Sequence, residues 1–288
     1  YPEAIKAYLQ ALALDGDLVE PRRNLAWIYR KLERYSEAIR QYIRVVSLEP
    51  EDYQTHNRLG LLYGKINKEK EAIEHYEEAI ELEPNFAIAY ANLGMLYHNS
   101  KNSRIREAID CYESALKIEQ TFILVRNLQA QAHLSRSEFD KAIQLYEGTV
   151  RIAPESEHYL QLALAFNRTG RHERAISNYQ KALKIDSDSV VILTHLGRSY
   201  GLVDKYDEAE TELNTALNIN ANYAPAQYQL AVILTARDQL DEAMELLQQA
   251  IQNEPGVAKS AKSDTNLQKL HQRPEFDQLI AGNEDERE

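Results

Sequence analysis

The sequence predicts an all-α fold built as a stack of antiparallel helix pairs, and three observations predict it. An alanine recurs from Ala4 to Ala38, Ala72, Ala108, Ala142, Ala175, Ala209 and Ala243, in steps of 34, 34, 36, 34, 33, 34 and 34 residues. Each step holds two apolar stripes of helical period separated by a short polar turn. Composition agrees: 44% of the 288 residues are apolar and 27% charged, with only 10 Gly and 8 Pro, which suits a folded, helix-rich chain. Units of this period cannot bury their apolar faces alone, so they form one stacked array rather than separate globular domains.

The N-terminal segment, residues 1–18, reads as a half repeat. Ala4, Ile5, Tyr8, Ala11 and Leu12 match a second helix with no first helix before it. Such a helix leaves an apolar stripe without a neighbour, so the expectation is that the chain continues upstream or that this face docks on another chain. Residues 19–257 then hold seven full repeats. Leu25, Ala26, Tyr29, Ala38, Tyr42 and Pro50 are answered by Leu59, Gly60, Tyr63, Ala72, Tyr76 and Pro84, and by Leu93, Gly94, Tyr97, Ala108 and Tyr112. Later units give Leu162, Ala163, Phe166, Ala175 and Tyr179, then Leu196, Gly197, Tyr200, Ala209 and Leu213, then Leu230, Ala231, Leu234, Ala243, Leu247 and Pro255.

The residue types follow from packing. Gly or Ala stands where two helices cross, because a larger side chain would force the axes beyond the ~8–10 Å of close helix packing. Leucines and aromatics fill the space left over. Pro50, Pro84, Pro154 and Pro255 follow second helices, where a residue without an N–H stops propagation. Two units depart: one carries two extra residues between Asn99 and Ile105, and the next shows Gln129, Ala130 and His133 in place of leucine, small residue and tyrosine. After the array, residues 258–282 keep an amphipathic pattern in Leu267, Leu270, Phe276, Leu279 and Ile280. There, Ser263 and Asp264 suit a helix cap and Pro274 a first turn, as expected of capping helices over the last repeat. Residues 283–288 read as a disordered charged tail.

The leucine, small residue and tyrosine of each first helix, with the alanine, tyrosine and proline of each second, resemble the tetratricopeptide repeat family over residues 1 to about 257. The resemblance implies a right-handed superhelical solenoid whose inner wall is lined mainly by first helices. On that wall it places Arg23, Trp27, Arg30, Lys31, Asn57, Lys65, Asn92, Arg168 and Arg198 among others, with six basic residues against two acidic ones in a chain of formal charge −12. A basic groove in an acidic molecule suits an acidic extended or helical peptide, since opposed potentials speed encounter and fix register. Arg23, Arg30, Lys31 and Lys65 beside Trp27 form the expected anchor, because guanidinium groups fork onto carboxylates and an indole supplies apolar area. Two devices of the family fail to match. The carboxylate grip of its chaperone-binding members falls on Arg23, Trp27, Arg58, Ile88 and Asn92, and a backbone-binding asparagine ladder is interrupted at Arg58, Gln161, His195 and Gln229.

Other functions find little support. The acidic balance, 45 Asp plus Glu against 33 Lys plus Arg, disfavours nucleic acid. Cys111 is the lone cysteine, so no internal disulfide or cysteine-based zinc site forms; this fits a reducing compartment such as the cytoplasm without fixing it. No apolar run approaches the ~18 residues of a membrane span. No histidine pair three or four apart, Gly-rich phosphate loop, GxSxG or GxGxxG occurs, so no cofactor or metal is expected. The expectation is a non-enzymatic scaffold that binds a peptide or partner protein in its concave groove. The alternative is the substrate-recruiting arm of a larger enzyme of the glycosyltransferase type, and self-association through the half repeat is a further expectation.

Overall fold

The computed structural model describes residues 1–100 and 104–281; the charged tail expected at 283–288 lies outside them. Among the described residues the secondary structure is helical, with no strand. The chain divides into two compact units, Tyr1–Leu145 and Tyr146–Glu288, and the point of division falls within helix α9 (Phe139–Ile152).

In the first unit, α1 (Pro2–Leu14) precedes the pairs α2 (Val19–Lys31) with α3 (Tyr35–Leu48), α4 (Tyr53–Lys65) with α5 (Glu69–Leu82), and α6 (Ala87–His98) with α7 (Ile105–Ile118), followed by α8 (Ile123–Ser135). Each of these helices packs on the next. The second unit repeats the plan with α10 (Ser156–Arg168) and α11 (His172–Leu183), α12 (Val190–Gly201) and α13 (Tyr206–Ile219), and α14 (Ala224–Ala236) and α15 (Leu240–Asn253).

The crossing of first and second helix is where side-chain size matters most. A Cβ built on Gly60 would stand 2.7 Å from the Tyr76 ring, one on Gly94 2.6 Å from the Tyr112 ring, and one on Gly197 2.6 Å from Leu213 Cγ. Elsewhere Ala26, Ala130, Ala163 and Ala231 take the equivalent place with no exposure at all. The opposing Tyr42, Tyr112 and Tyr179 are among the largest fully buried side chains, and burial raises the pKa of each of these three phenols. The core of the first pair draws in Ile5, Tyr8 and Leu12 from α1.

Both irregular units keep this register. Gln129, Ala130 and His133 are all buried on α8. His133 replaces the expected tyrosine and pairs through Nδ1 with Glu138 Oε2 at 2.9 Å. The two extra residues of the preceding unit lie between the end of α6 and the start of α7, and residues 101–103 of that stretch are outside the described residues.

Six of the turns inside the pairs share one conformation. Glu33, Asn67, Ser137, Asp204 and Asp238 all have φ between 57° and 64°, and Gly170 has φ 70°. Each is followed by an N–H that reaches back to the carbonyl five residues earlier, as in Arg34 to Tyr29 (2.8 Å), Lys68 to Tyr63 (2.9 Å) and Lys205 to Tyr200 (3.0 Å). This left-handed closure satisfies carbonyls that a helix end leaves bare, a task for which glycine is the usual residue. Here glycine serves once.

At the C-terminal end lie α16 (Val257–Ser263), a 3-10 turn (Thr265–Leu267), α17 (Gln268–His271) and α18 (Pro274–Ala281), with Leu267, Leu270, Phe276 and Ile280 buried. Asp264, rather than Ser263, caps the 3-10 turn through the Asn266 N–H at 2.9 Å. Tyr228 on α14 donates to Asp264 at 2.6 Å, and Lys269 and Arg273 reach Asp238 and Asp241 at 2.5 and 2.6 Å.

Three outcomes follow. Glu33→Gly relieves a left-handed, exposed residue and should stabilise the chain by about 0.5–1 kcal/mol; an unchanged or lower urea midpoint would contradict this. Gly94→Val overpacks the Tyr112 crossing and should cost about 2–3 kcal/mol, read as a fall in thermal midpoint. Hydrogen bonds from Arg136, Lys141 and His133 hold the Glu138 carboxyl down to about 2. Its contribution to stability is therefore complete above the ordinary carboxylate range and fades as pH falls toward about 2, which carboxyl NMR titration checks.

Candidate functional site

On α2, the residues Arg23, Trp27, Arg30 and Lys31 fall at helical steps of four, three and one, on the side opposite the buried Leu25, Ala26 and Tyr29. Core burial of that apolar stripe thereby turns the four polar and aromatic residues outward. On α4, Arg58 and Lys65 are exposed while Asn57 is buried. Asn92 on α6 donates from Nδ2 to Asn57 Oδ1 at 2.9 Å, so these two candidate residues hold each other and tie first helix to first helix.

Arg23 is engaged within the chain. Its guanidinium contacts Glu20 at 2.7 Å, Asp52 at 2.8 Å and Glu49. Burial works against its charge, but the bonds to Asp52 and Glu20 outweigh it and raise its pKa. Asp52 answers in kind: burial would push its carboxyl up, and bonds from Thr55 and Arg23 bring it below the ordinary value. A cavity of about 560 Å3 on the α3–α4 turn surrounds Arg23 with Glu49, Glu51 and Asp52 and is net acidic.

A second depression, of about 420 Å3, lies between α2 and α4 and is lined by Glu20, Arg23, Asn24, Trp27, Tyr42 and Arg58. The buried Tyr42 phenol faces it: burial raises its pKa, while the charges of Arg58 and Arg30 pull the other way. Arg30, Arg58 and Lys65 make no ion pair with any carboxylate among the described residues, although the chain carries 45 acidic residues. Trp27 is 43% exposed, with the Tyr1 ring edge-on at 6.2 Å and the Lys31 ammonium 5.6 Å from its ring centre. Such a surface can accept carboxylate oxygens from two guanidinium groups and lay an apolar side chain on the indole. Arg58 and Tyr42 are the members that the sequence reading did not put forward as binding residues. In the sequence Arg58 stands as a mismatch to two family devices and Tyr42 as a core position.

The second unit holds Arg168 on α10 and Arg198 on α12, both exposed. Asn167 fixes the α10 end by donating to Tyr179 Oη at 3.2 Å and to Ser199 Oγ at 2.7 Å, and it accepts from His172 Nδ1 at 3.1 Å. Arg198 lines a cavity of about 510 Å3 with Leu202, Tyr228, Gln229 and Asp264. Among the described residues no three His, Cys, Asp or Glu side chains converge to hold a metal. Burial pushes the Cys111 thiol up to about 12, so it is protonated at neutral pH and a poor nucleophile. No helix among the described residues is long and apolar enough to cross a membrane.

Tetratricopeptide repeat models match residues 1–45, 98–157 and 127–190, residues 53–86, residues 75–110 and residues 203–263, and a further TPR repeat model matches 26–67. The chain is 25% identical over 131 residues to the BBSome complex member BBS4 of Bos taurus, covering 44% of this chain and 25% of the relative. It is 31% identical over 104 residues to the probable UDP-N-acetylglucosamine–peptide N-acetylglucosaminyltransferase SPINDLY of Solanum lycopersicum, covering 35% of this chain and 11% of that protein. The chain thus spans a quarter or less of the length of these curated relatives. Among solved structures, the MamA protein superposes with a TM-score of 0.54 at 26% identity, over 60% of this chain and 94% of MamA. With the repeat matched along its length and the crossing positions occupied as the repeat requires, the chain belongs to the tetratricopeptide repeat family.

Proposed function

We propose that the array is a protein-interaction scaffold that takes an acidic peptide or an acidic segment of a partner protein on the α2–α4 face. The observation that carries this reading is that Arg30 on α2 and Arg58 and Lys65 on α4 have no carboxylate partner among the described residues, with Arg58 sharing a depression with the exposed Trp27, in a chain of charge −12. A strongly acidic protein that leaves three cations on these two helices without carboxylates keeps a local potential opposite in sign to its own, and that draws in acidic segments and orients them. Arg23 serves as the frame of the site, because its pairs with Glu49 and Asp52 hold α2 to the α3–α4 turn. Asn57 and Asn92 brace the next first helix along. Arg168 and Arg198 are proposed as contacts of the second unit by the same reasoning.

A second reading has its own observation. The SPINDLY relative is a glycosyltransferase by name and matches this chain over 104 residues, so the array is also proposed as a recruiting arm that brings protein substrates to a catalytic domain in the same polypeptide. Reading the full coding sequence discriminates, since only this reading requires a catalytic domain there.

The groove is tested by selecting peptides on the wild-type protein from a random display library and measuring their Kd against the triple variant Arg30→Glu, Arg58→Glu, Lys65→Glu. At about 1 kcal/mol per reversed exposed charge, affinity should fall on the order of a hundredfold, and wild-type binding should weaken as salt rises. Selected peptides without acidic enrichment, or equal binding by the variant, would remove the basic face from the account.

A further inference from the structure

His56 on α4 and His75 on α5 meet through their Nδ1 atoms at 3.2 Å, with ring centres 5.3 Å apart. His56 is buried, His75 is half-buried, and the Tyr63 ring stacks on His75 at 5.4 Å and 10°. A neutral imidazole has one N–H and one bare nitrogen. The Nδ1 to Nδ1 bond therefore requires one ring to donate and the other to accept. Two neutral rings of opposite tautomer satisfy it, and so do one charged and one neutral ring. Two imidazoliums do not, because both nitrogens then carry hydrogens aimed at each other across the same gap.

We propose that His56 and His75 form a proton-operated latch between α4 and α5, closed while at most one of the two rings is charged and opened by the second proton.

The groups that act on His75 are His56 on α4 and Glu74 and Glu78 on its own helix, with the neutral Tyr63 ring on α4 covering it; no charge from α3 or α6 adds to these among the described residues. Burial, and next the charge of His56, hold His75 below the ordinary histidine value, against the pull of the two glutamates. The sign follows directly. A base depressed in the folded state binds its proton more readily in the unfolded chain, so the latch stabilises the hairpin fully above the ordinary histidine range and loses that contribution as pH falls through it. The loosened helix is the one that carries Asn57, whose bond to Asn92 ties α4 to α6. Acidification thereby reaches the neighbouring repeat as well as the α4–α5 pair.

The test is an NMR titration of the histidine ring signals in the full chain and in His56→Gln, with urea unfolding of both proteins at about pH 7.5 and about pH 5.5. In the wild type His75 should titrate below about 6.5, and in His56→Gln its midpoint should rise, because the neighbouring charge is gone while burial remains. The wild-type unfolding constant should climb by up to about tenfold per pH unit for each proton taken up, and less steeply in the variant. His98, depressed by its own burial, is present in both proteins and cancels in the comparison. A wild-type His75 midpoint at or above about 6.5, or one that does not move in His56→Gln, would overturn the latch. If His56→Gln fails to fold, the wild-type curve decides alone: a two-step His75 titration supports the latch, and a single independent step overturns it.

Discussion

The close crossing of first and second helix is the constraint on which the rest depends. A glycine or alanine on one helix lets a fully buried tyrosine or leucine of the other lie flat against its backbone, as at Gly60 with Tyr76, Gly94 with Tyr112 and Gly197 with Leu213. Core packing is dense enough that one added methyl group there meets ring atoms under 3 Å away. Because the same contact recurs in pair after pair, each helix receives its orientation from its neighbour, and the outward stripe of α2 and α4 is set before any binding residue is chosen.

That outward stripe shows how an acidic chain can keep a cationic patch. Several arginines and lysines on the periphery find a carboxylate three or four residues away or in a neighbouring repeat, as with Arg104 and Glu107 or Lys205 and Glu173. Such exposed pairs contribute little to stability, but they neutralise the surface locally. Arg30, Arg58 and Lys65 make no such pair among the described residues, and the Tyr42 hydroxyl lies where the fields of Arg30 and Arg58 overlap. Arg23 differs in kind. Two of its three carboxylates, Glu49 and Asp52, bridge α2 to the α3–α4 turn, so the same residue type one helical turn from Trp27 does structural work.

Polar groups inside the pairs follow a common logic. Where a second-helix tyrosine is buried, a first-helix residue near its hydroxyl is often polar: His98 stands 3.4 Å from Tyr112 Oη and Asn167 3.2 Å from Tyr179 Oη. Other first-helix histidines meet different partners, His56 the His75 ring and His133 the Glu138 carboxylate, and burial depresses His98 and His195 as it does His75. The interior of this array is therefore sensitive to protonation in a way that an all-aliphatic one would not be.

The sequence alone determined the helix pairs, their period and the small-residue crossings, because these rest on local periodicity and on contacts repeated every 34 or so residues. It also placed Gln129, Ala130 and His133 at core positions, though their chemistry did not announce it. Tertiary structure decided which charges are free. Arg23, Arg30 and Arg58 look alike in sequence, and only the approach of Glu49 and Asp52 from the next turn separates the engaged guanidinium from the open ones. It likewise decided that His56 and His75, 19 residues apart, share one hydrogen bond, since an encounter between side chains of different helices depends on how those helices pack and leaves no trace in the spacing of either.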